Sequence, residues 1–162
     1  YDAAGLTRIL LEYGELKSAP AMTRTIIEAR EHQPIQNTEQ LKTVLSRFLP
    51  AHKSNKILAQ IYQAIRIEVN QEMEVLKEFL EQSLEILKPG GRLSVISYHS
   101  LEDRLVKRFM RNGMFEGEPE RDFFGRFTVP FKTIEKLIVP SQQEIEINNR
   151  ARSAKLRVAE KL

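Results

Sequence analysis

The 162-residue chain predicts an α/β fold in which a helical lobe precedes a small sheet. Three observations lead there. Up to Leu87, apolar residues recur at the spacing of helices that bury one stripe. At Lys88-Pro89-Gly90-Gly91 that pattern stops, because proline has no amide donor and paired glycines turn the chain cheaply. Beyond it the order reads strand, helix, strand, helix, strand.

Each element has its own signal. Leu6, Ile9, Leu10 and Tyr13 form one stripe, ended by Gly14. Met22, Ile26 and Ala29 mark a second helix, with Pro20 suited to its first turn. Asn37 followed by Gln40 resembles a capping box ahead of Leu41, Val44, Leu45 and Phe48, and Pro50 stops that helix. A fourth helix starts near Ser54 and runs through Ile57, Leu58, Ile61, Tyr62, Ile65 and Val69, a wide apolar face that suits a central position. A fifth spans about Gln71 to Leu87, with Met73, Leu76, Leu80, Leu84 and Leu87 inward. Residues 92–97 have the length and β-branching of a buried parallel strand. A helix over 101–112, a loop over 113–126, a strand from Phe131 to Val139, a short acidic helix from Ser141 to about Asn148 and a last strand over 154–161 complete the chain.

Composition narrows the function classes. Hydrophobic residues at 41% and charged residues at 29% are globular values. The absence of Cys excludes disulfides and thiolate chemistry and fits a reducing cytosol. No apolar stretch reaches membrane-spanning length, and no signal-peptide pattern opens the chain, so no membrane partner is expected. The net charge of +3 says less than its distribution. Residues 67–86 hold six Glu against one Lys, a net of −5. Residues 147–162 hold Arg150, Arg152, Lys155, Arg157 and Lys161 against Glu160, a net of +4 that could meet phosphate.

Candidate chemistry gathers where strand 92–97 ends. In open α/β sheets ligands sit beyond the carboxyl ends of strands, which singles out Tyr98, His99 and Ser100. His99 could touch a base, an RNA backbone or a proton path; equally, its ring could order the strand–helix turn. Ser100-Leu101-Glu102-Asp103 matches a capping pattern, with Ser100 the cap and Asp103 answering it. Arg104, Lys107, Arg108 and Arg111 put positive charge along one side of the following helix. RNA phosphate could lie there, although a solvated face is the simpler reading for Lys107 and Arg111. Arg66 and Asn70 lie one turn apart on a shared face; a half-buried Arg66 needs a carboxylate or phosphate partner, and Glu68 cannot face it. Arg150 and Arg152 are a second phosphate-binding candidate, with an internal salt bridge the competing role for both pairs. His32 and His52 fall in loop-like stretches and read as solvated surface.

These residues carry a resemblance. The run PGGRLSVISYHSLEDRLVKRFM resembles the signature PGGRLxVISFHSLEDRxVKxFF of the bacterial 16S ribosomal RNA cytosine-N4 methyltransferases, the RsmH (MraW) family. Residues 62–70 resemble that family's FQAxRIxVN segment, residues 148–157 its NPRARSAxLR segment, and Tyr13-Gly14-Glu15 fits in order. The resemblance implies part of a Rossmann-like S-adenosylmethionine-dependent methyltransferase sheet, preceded by a helical insertion lobe. Residues 1–70 would be the insertion that recognises substrate, and residues 71–162 the C-terminal part of the methyltransferase domain with its last three strands. The cofactor, S-adenosyl-L-methionine, would be bound mainly by an N-terminal half, because the family's cofactor loop has no counterpart here. The isolated chain is then expected to be inactive. Tyr98, His99 and Ser100 would form one wall of the active site; Arg66, Asn70, Arg104, Arg150 and Arg152 would meet RNA; Ser100 and Asp103 would cap.

The implied partners are 16S ribosomal RNA and the small ribosomal subunit, in the cytoplasm, with no metal. The chain departs from the family pattern at Tyr98 (usually Phe), Asn149 (usually Pro) and Gln60 (often Arg), and its segment Leu16-Lys17-Ser18-Ala19-Pro20-Ala21 is altered, so positive charge is lost from the helical lobe. Two competing expectations are a non-catalytic RNA- or protein-binding module on the same scaffold, and a homodimer through the uncovered apolar strand 92–97.

Overall fold

The computed structural model describes the backbone of residues 1–162 and every side chain except that of Lys136. The chain forms two compact units, Tyr1–Glu72 and Met73–Leu162.

The first unit is helical: α1 (Ala3–Glu12), α2 (Ala19–His32), α3 (Thr38–Val44), a 3-10 turn over Ser46–Phe48, and α4 (Ser54–Asn70). Asp2 caps α1 by accepting from the Gly5 amide at 2.7 Å, and Pro20 lies in the first turn of α2, where its missing donor costs nothing. Asn37 caps α3 by accepting from Gln40 N, but the Gln40 amide oxygen accepts from Gln36 N instead of completing a box with Asn37. Ile9, Leu10, Leu16, Ala19, Met22, Leu45, Ile61 and Ala64 form the core. The buried face of α4 is narrower than its composition suggests. Ile61, Ala64 and Ile67 are fully buried, whereas Ile65 and Val69 are exposed. Gly14 answers a close approach: a Cβ there would lie 2.7 Å from the Leu10 carbonyl and 3.2 Å from that of Gln60. The Gln60 and Gln63 amides donate to the Gly14 and Tyr13 carbonyls at 2.9 and 3.3 Å. Gln60 thus has a structural task at the position where the family pattern often has Arg. His32 ends α2 rather than lying in a loop.

The second unit contains α5 (Glu72–Ile86) from its second residue on, β1 (Arg92–Ser97), α6 (Ser100–Asn112), β2 (Phe131–Ile138), α7 (Gln142–Ile147), a 3-10 segment over Asn149–Ser153, and β3 (Lys155–Lys161). The strands form one sheet in the order β1-β3-β2, with β3 antiparallel to both neighbours. This corrects the expectation of a buried parallel strand. Among the described residues β1 pairs only with β3 and keeps its other edge open, and its residues alternate: Leu93, Val95 and Ser97 turn inward while Arg92, Ser94 and Ile96 turn out. A short apolar run does not separate the two kinds of strand. Leu80, Leu93, Val106, Phe109, Met110, Phe131 and Ala159 make the core, with Phe109 stacked on Phe115 at 5.0 Å between ring centroids. Gly113 ends α6 in a left-handed conformation (φ 73°), and a Cβ there would collide with Pro130. None of the described helices is long and apolar enough to cross a membrane.

Two contacts lock this unit. At its far end β3 holds the Pro89-Gly90-Gly91 turn: the Gly90 amide donates to the Lys161 carbonyl and the Lys161 amide to the Gly91 carbonyl, both at 2.8 Å. The Lys161 ammonium donates to the Leu84 and Leu87 carbonyls at 2.6 and 2.7 Å, satisfying the negative end of α5. At the near end, Asp103 on α6 takes Arg157 Nε on Oδ1 at 2.7 Å, Arg157 Nη2 on Oδ2 at 3.2 Å, and Lys155 Nζ on Oδ2 at 3.2 Å. Arg157 lies opposite Val95 and Lys155 opposite Ser97 in the β1–β3 ladder, so one carboxylate fastens α6 to the central strand. Asp103 and the Arg157 side chain are almost wholly buried.

Burial alone would push the Asp103 carboxyl up. The hydrogen bonds and charges of Arg157 and then Lys155 outweigh it, and its pKa lies below the ordinary carboxylate value. A folded value below the unfolded one means that ionised Asp103 stabilises the fold above about pH 4; that contribution fades as pH falls from there through the depressed folded value. Asp103→Asn should lower the unfolding free energy by about 3 kcal/mol, because it leaves the buried Arg157 guanidinium without its counter-charge. It should also flatten the acid limb of a stability–pH profile. Denaturant melts of both proteins between neutral pH and pH ~3 check this, and coincident profiles would refute it.

Candidate active-site loop and cationic surfaces

The junction between β1 and α6 consists of Tyr98 and His99. Glu102 closes it: one carboxylate oxygen accepts from the Tyr98 amide at 2.9 Å and from the His99 amide at 3.3 Å. In return the Glu102 amide donates to His99 Nδ1 at 3.4 Å, forming a capping box with His99 as the cap. This corrects the assignment of the cap to Ser100 and of its answer to Asp103. Ser100 is the first residue of the helix, and Asp103 is committed to Arg157 and Lys155. The signal was shifted by one residue because histidine is an unusual cap, so Ser-x-x-Asp overlay the working pair His99 and Glu102.

The box constrains the ring. Nδ1 accepts only when it carries no proton, so the box is made by the tautomer that bears its proton on Nε2. Nε2 lies 3.1 Å from Glu102 Oε1, yet this buried atom makes no aligned hydrogen bond among the described residues. Glu102 and Asp103 both sit in the first turn of α6, where carboxylates complement the helix dipole. Tyr98, with its backbone held, stays 57% exposed and presents an aromatic ring at the strand end.

The other sequence candidates fall into two groups. Arg66 and Asn70 meet on one carboxylate: Arg66 Nε and Nη2 donate to the two Glu72 oxygens at 2.8 and 3.0 Å, and Asn70 Nδ2 donates at 3.1 Å. Arg66 is exposed rather than half-buried, and its partner is internal. Helical spacing could not point to Glu72, because Gln71 adopts a left-handed conformation (φ 52°) that turns the chain between them. The basic terminus divides likewise. Lys155, Arg157 and Lys161 are engaged inside the unit, whereas Arg150 and Arg152 are exposed and, among the described residues, have no carboxylate within ion-pair distance. Ala151 between them is buried and anchors the segment. Arg104 is exposed on α6, directly after Asp103. Among the described residues no cluster of His, Asp or Glu could hold a metal ion.

The cap assignment has a measurable consequence. His99→Ala should cost about 1 kcal/mol of stability, whereas His99→Asn, which supplies a good capping oxygen, should recover most of it. Thermal or denaturant melts decide; equal losses in both variants would mean that the ring is not held as a cap.

Comparison with known proteins places this geometry. A family model described as the MraW methylase family matches residues 1–162. The Ribosomal RNA small subunit methyltransferase H of Flavobacterium johnsoniae is 74% identical over 100% of the chain, which covers 54% of that relative. The protein of the same name from Flavobacterium psychrophilum is 76% identical over 99% of the chain and 55% of its own length. That from Parabacteroides distasonis is 49% identical, over 100% of the chain and 53% of its own length. The chain therefore spans about half the length of the curated relatives it matches. With the family model running from the first residue to the last and the signature loop Tyr98–Asp103 folded into a capped strand–helix junction, this chain belongs to the MraW methylase family.

Proposed function

We propose that the chain is the C-terminal portion of an S-adenosylmethionine-dependent enzyme that transfers a methyl group to the exocyclic N4 amine of a cytidine in 16S ribosomal RNA, within the bacterial cytoplasm. The observation that carries the reading is the Tyr98–Asp103 junction. It matches the family's signature at the carboxyl end of a strand, and its backbone is fixed by Glu102. Methyl transfer to an amine demands in-line positioning, so a rigid wall is what such a reaction asks of this loop. In this reading the exposed Tyr98 ring lies against the base once it has left its stack, and His99 keeps the wall in place through its cap. Residues 1–70 serve as the substrate-recognition lobe inserted into a Rossmann-like domain, and residues 71–162 as that domain's end. The open edge of β1, with Ile96 58% exposed, is then where the rest of the sheet continues, rather than where a second copy of the chain docks.

The residues present do not fit the methyl donor. Among the described residues, no glycine-rich loop follows a strand: β1 leads into Tyr98 and His99, β2 ends at Ile138 ahead of Pro140, and Gly14 and Gly113 are tightly occupied by their neighbours. S-adenosyl-L-methionine supplies the methyl group, and we assign its binding to sequence outside these 162 residues. RNA recognition is assigned to Arg150, Arg152 and Arg104, while the ion pair to Glu72 makes Arg66 and Asn70 organisers of the lobe before they are RNA ligands.

Calorimetric titration with S-adenosyl-L-methionine tests this division. The chain should bind no donor and methylate no cytidine-containing RNA, whereas the same protein extended at its N-terminus should do both. Donor binding by the chain as it stands would overturn the assignment.

A further inference from the structure

We propose that a pocket beside the C-terminal half of α6 binds a phosphate group of the RNA strand, with Lys107 and Arg111 as its ligands. The cavity, of about 390 Å³, is lined by Lys107, Met110 and Arg111 from α6, Thr133 and Leu137 from β2, and Arg157 from β3. All six belong to the second unit. Three cations border it, and among the described residues no carboxylate lines it. The charge of Arg157 is matched by Asp103 on the far side. Lys107 and Arg111 are exposed, and among the described residues neither lies within ion-pair distance of a carboxylate, so the pocket carries their positive charge uncompensated. Arg111 is also aimed. Its Nε donates to the Oδ1 of buried Asn112 at 2.9 Å, which fixes one edge of the guanidinium of this pocket-lining residue.

The lining suits a nucleotide unit better than a bare ion. Two cations one helical turn apart can straddle a phosphate. Thr133 offers a hydroxyl, and the side chains of Met110 and Leu137 give an apolar wall for a sugar or base edge. The volume falls within the range of small-ligand sites. Lys107 and Arg111 pass in the sequence for a solvated helix face; only the placement of β2 and β3 opposite them encloses the charge. The inference rests on the reading that this family acts on RNA, and it names where on the chain the backbone is held.

The test measures binding of a short cytidine-containing single-stranded RNA by fluorescence anisotropy across a salt series, beside a titration with inorganic phosphate followed at the Met110 methyl resonance. The parent chain should bind RNA in a salt-dependent way, and phosphate should shift the Met110 signal. The double variant Lys107→Ala, Arg111→Ala should bind about tenfold more weakly. Its log–log salt slope should be shallower by about 1.4, the value for two lost phosphate contacts on a single strand. The exchange Lys107→Arg, Arg111→Lys should keep both properties, which separates lost charge from lost folding. A double variant that matches the parent in affinity and slope overturns the pocket while leaving RNA binding by the family intact. Phosphate binding without RNA binding supports the site as a free-phosphate site and overturns the RNA source. A parent that binds neither overturns the proposal and the RNA reading of this portion together.

Discussion

The buried carboxylate of Asp103 is the constraint on which the second unit depends. It sits one turn into α6 and faces two cations from alternate positions of β3, so a single side chain fastens the helix to the central strand. Alternation in β3 turns Lys155, Arg157 and Ala159 to one side, the first two to meet Asp103 and the last to close the core. Removing water from this cluster is costly, and the cost is offset only because both carboxylate oxygens are engaged and Arg157 binds in a two-pronged geometry. The Tyr98–His99 loop inherits this rigidity, since the capping box that closes it stands on the same turn of helix.

β3 has a similar role at its other end. Lys161 satisfies the last carbonyls of α5, and its backbone holds the Gly90–Gly91 turn. A terminus that looks like a basic tail is therefore mostly internal structure. Three of its five cations are engaged in holding the unit together, and only Arg150 and Arg152 remain turned outward. Charge counted along a sequence overstates what is free to meet a polyanion, because a cation opposite a buried carboxylate or a helix end has little left to offer. The reverse holds for Lys107 and Arg111, which pass for a solvated helix face until β2 and β3 are placed opposite them.

The helices were legible because their stripes are long and regular. α1, α2, α4, α5 and α6 follow from apolar spacing and from Gly14, Pro20 and the Asn112-Gly113 stop. The site was legible in part. The strand-end rule and the family signature both point to Tyr98, His99 and Ser100, but the cap lies one residue earlier than the pattern suggests, and Asp103 works across the sheet instead of along its own helix. The partner of Arg66 was hidden by the left-handed Gln71, which no periodicity encodes.

By itself, the sequence determined where helices start and stop, where the period changes at Pro89, and which family's signature the chain bears. These are local properties, written in residues a few positions apart and in propensity, capping and turn chemistry. Only the tertiary structure decided that β3 lies antiparallel between β1 and β2, that Asp103 faces Arg157 and Lys155, and which cations stay free. Those outcomes depend on contacts between residues more than fifty positions apart in the chain. Strand order and the pairing of buried charges are settled by how elements pack and exclude water, and that is a property of the assembled core.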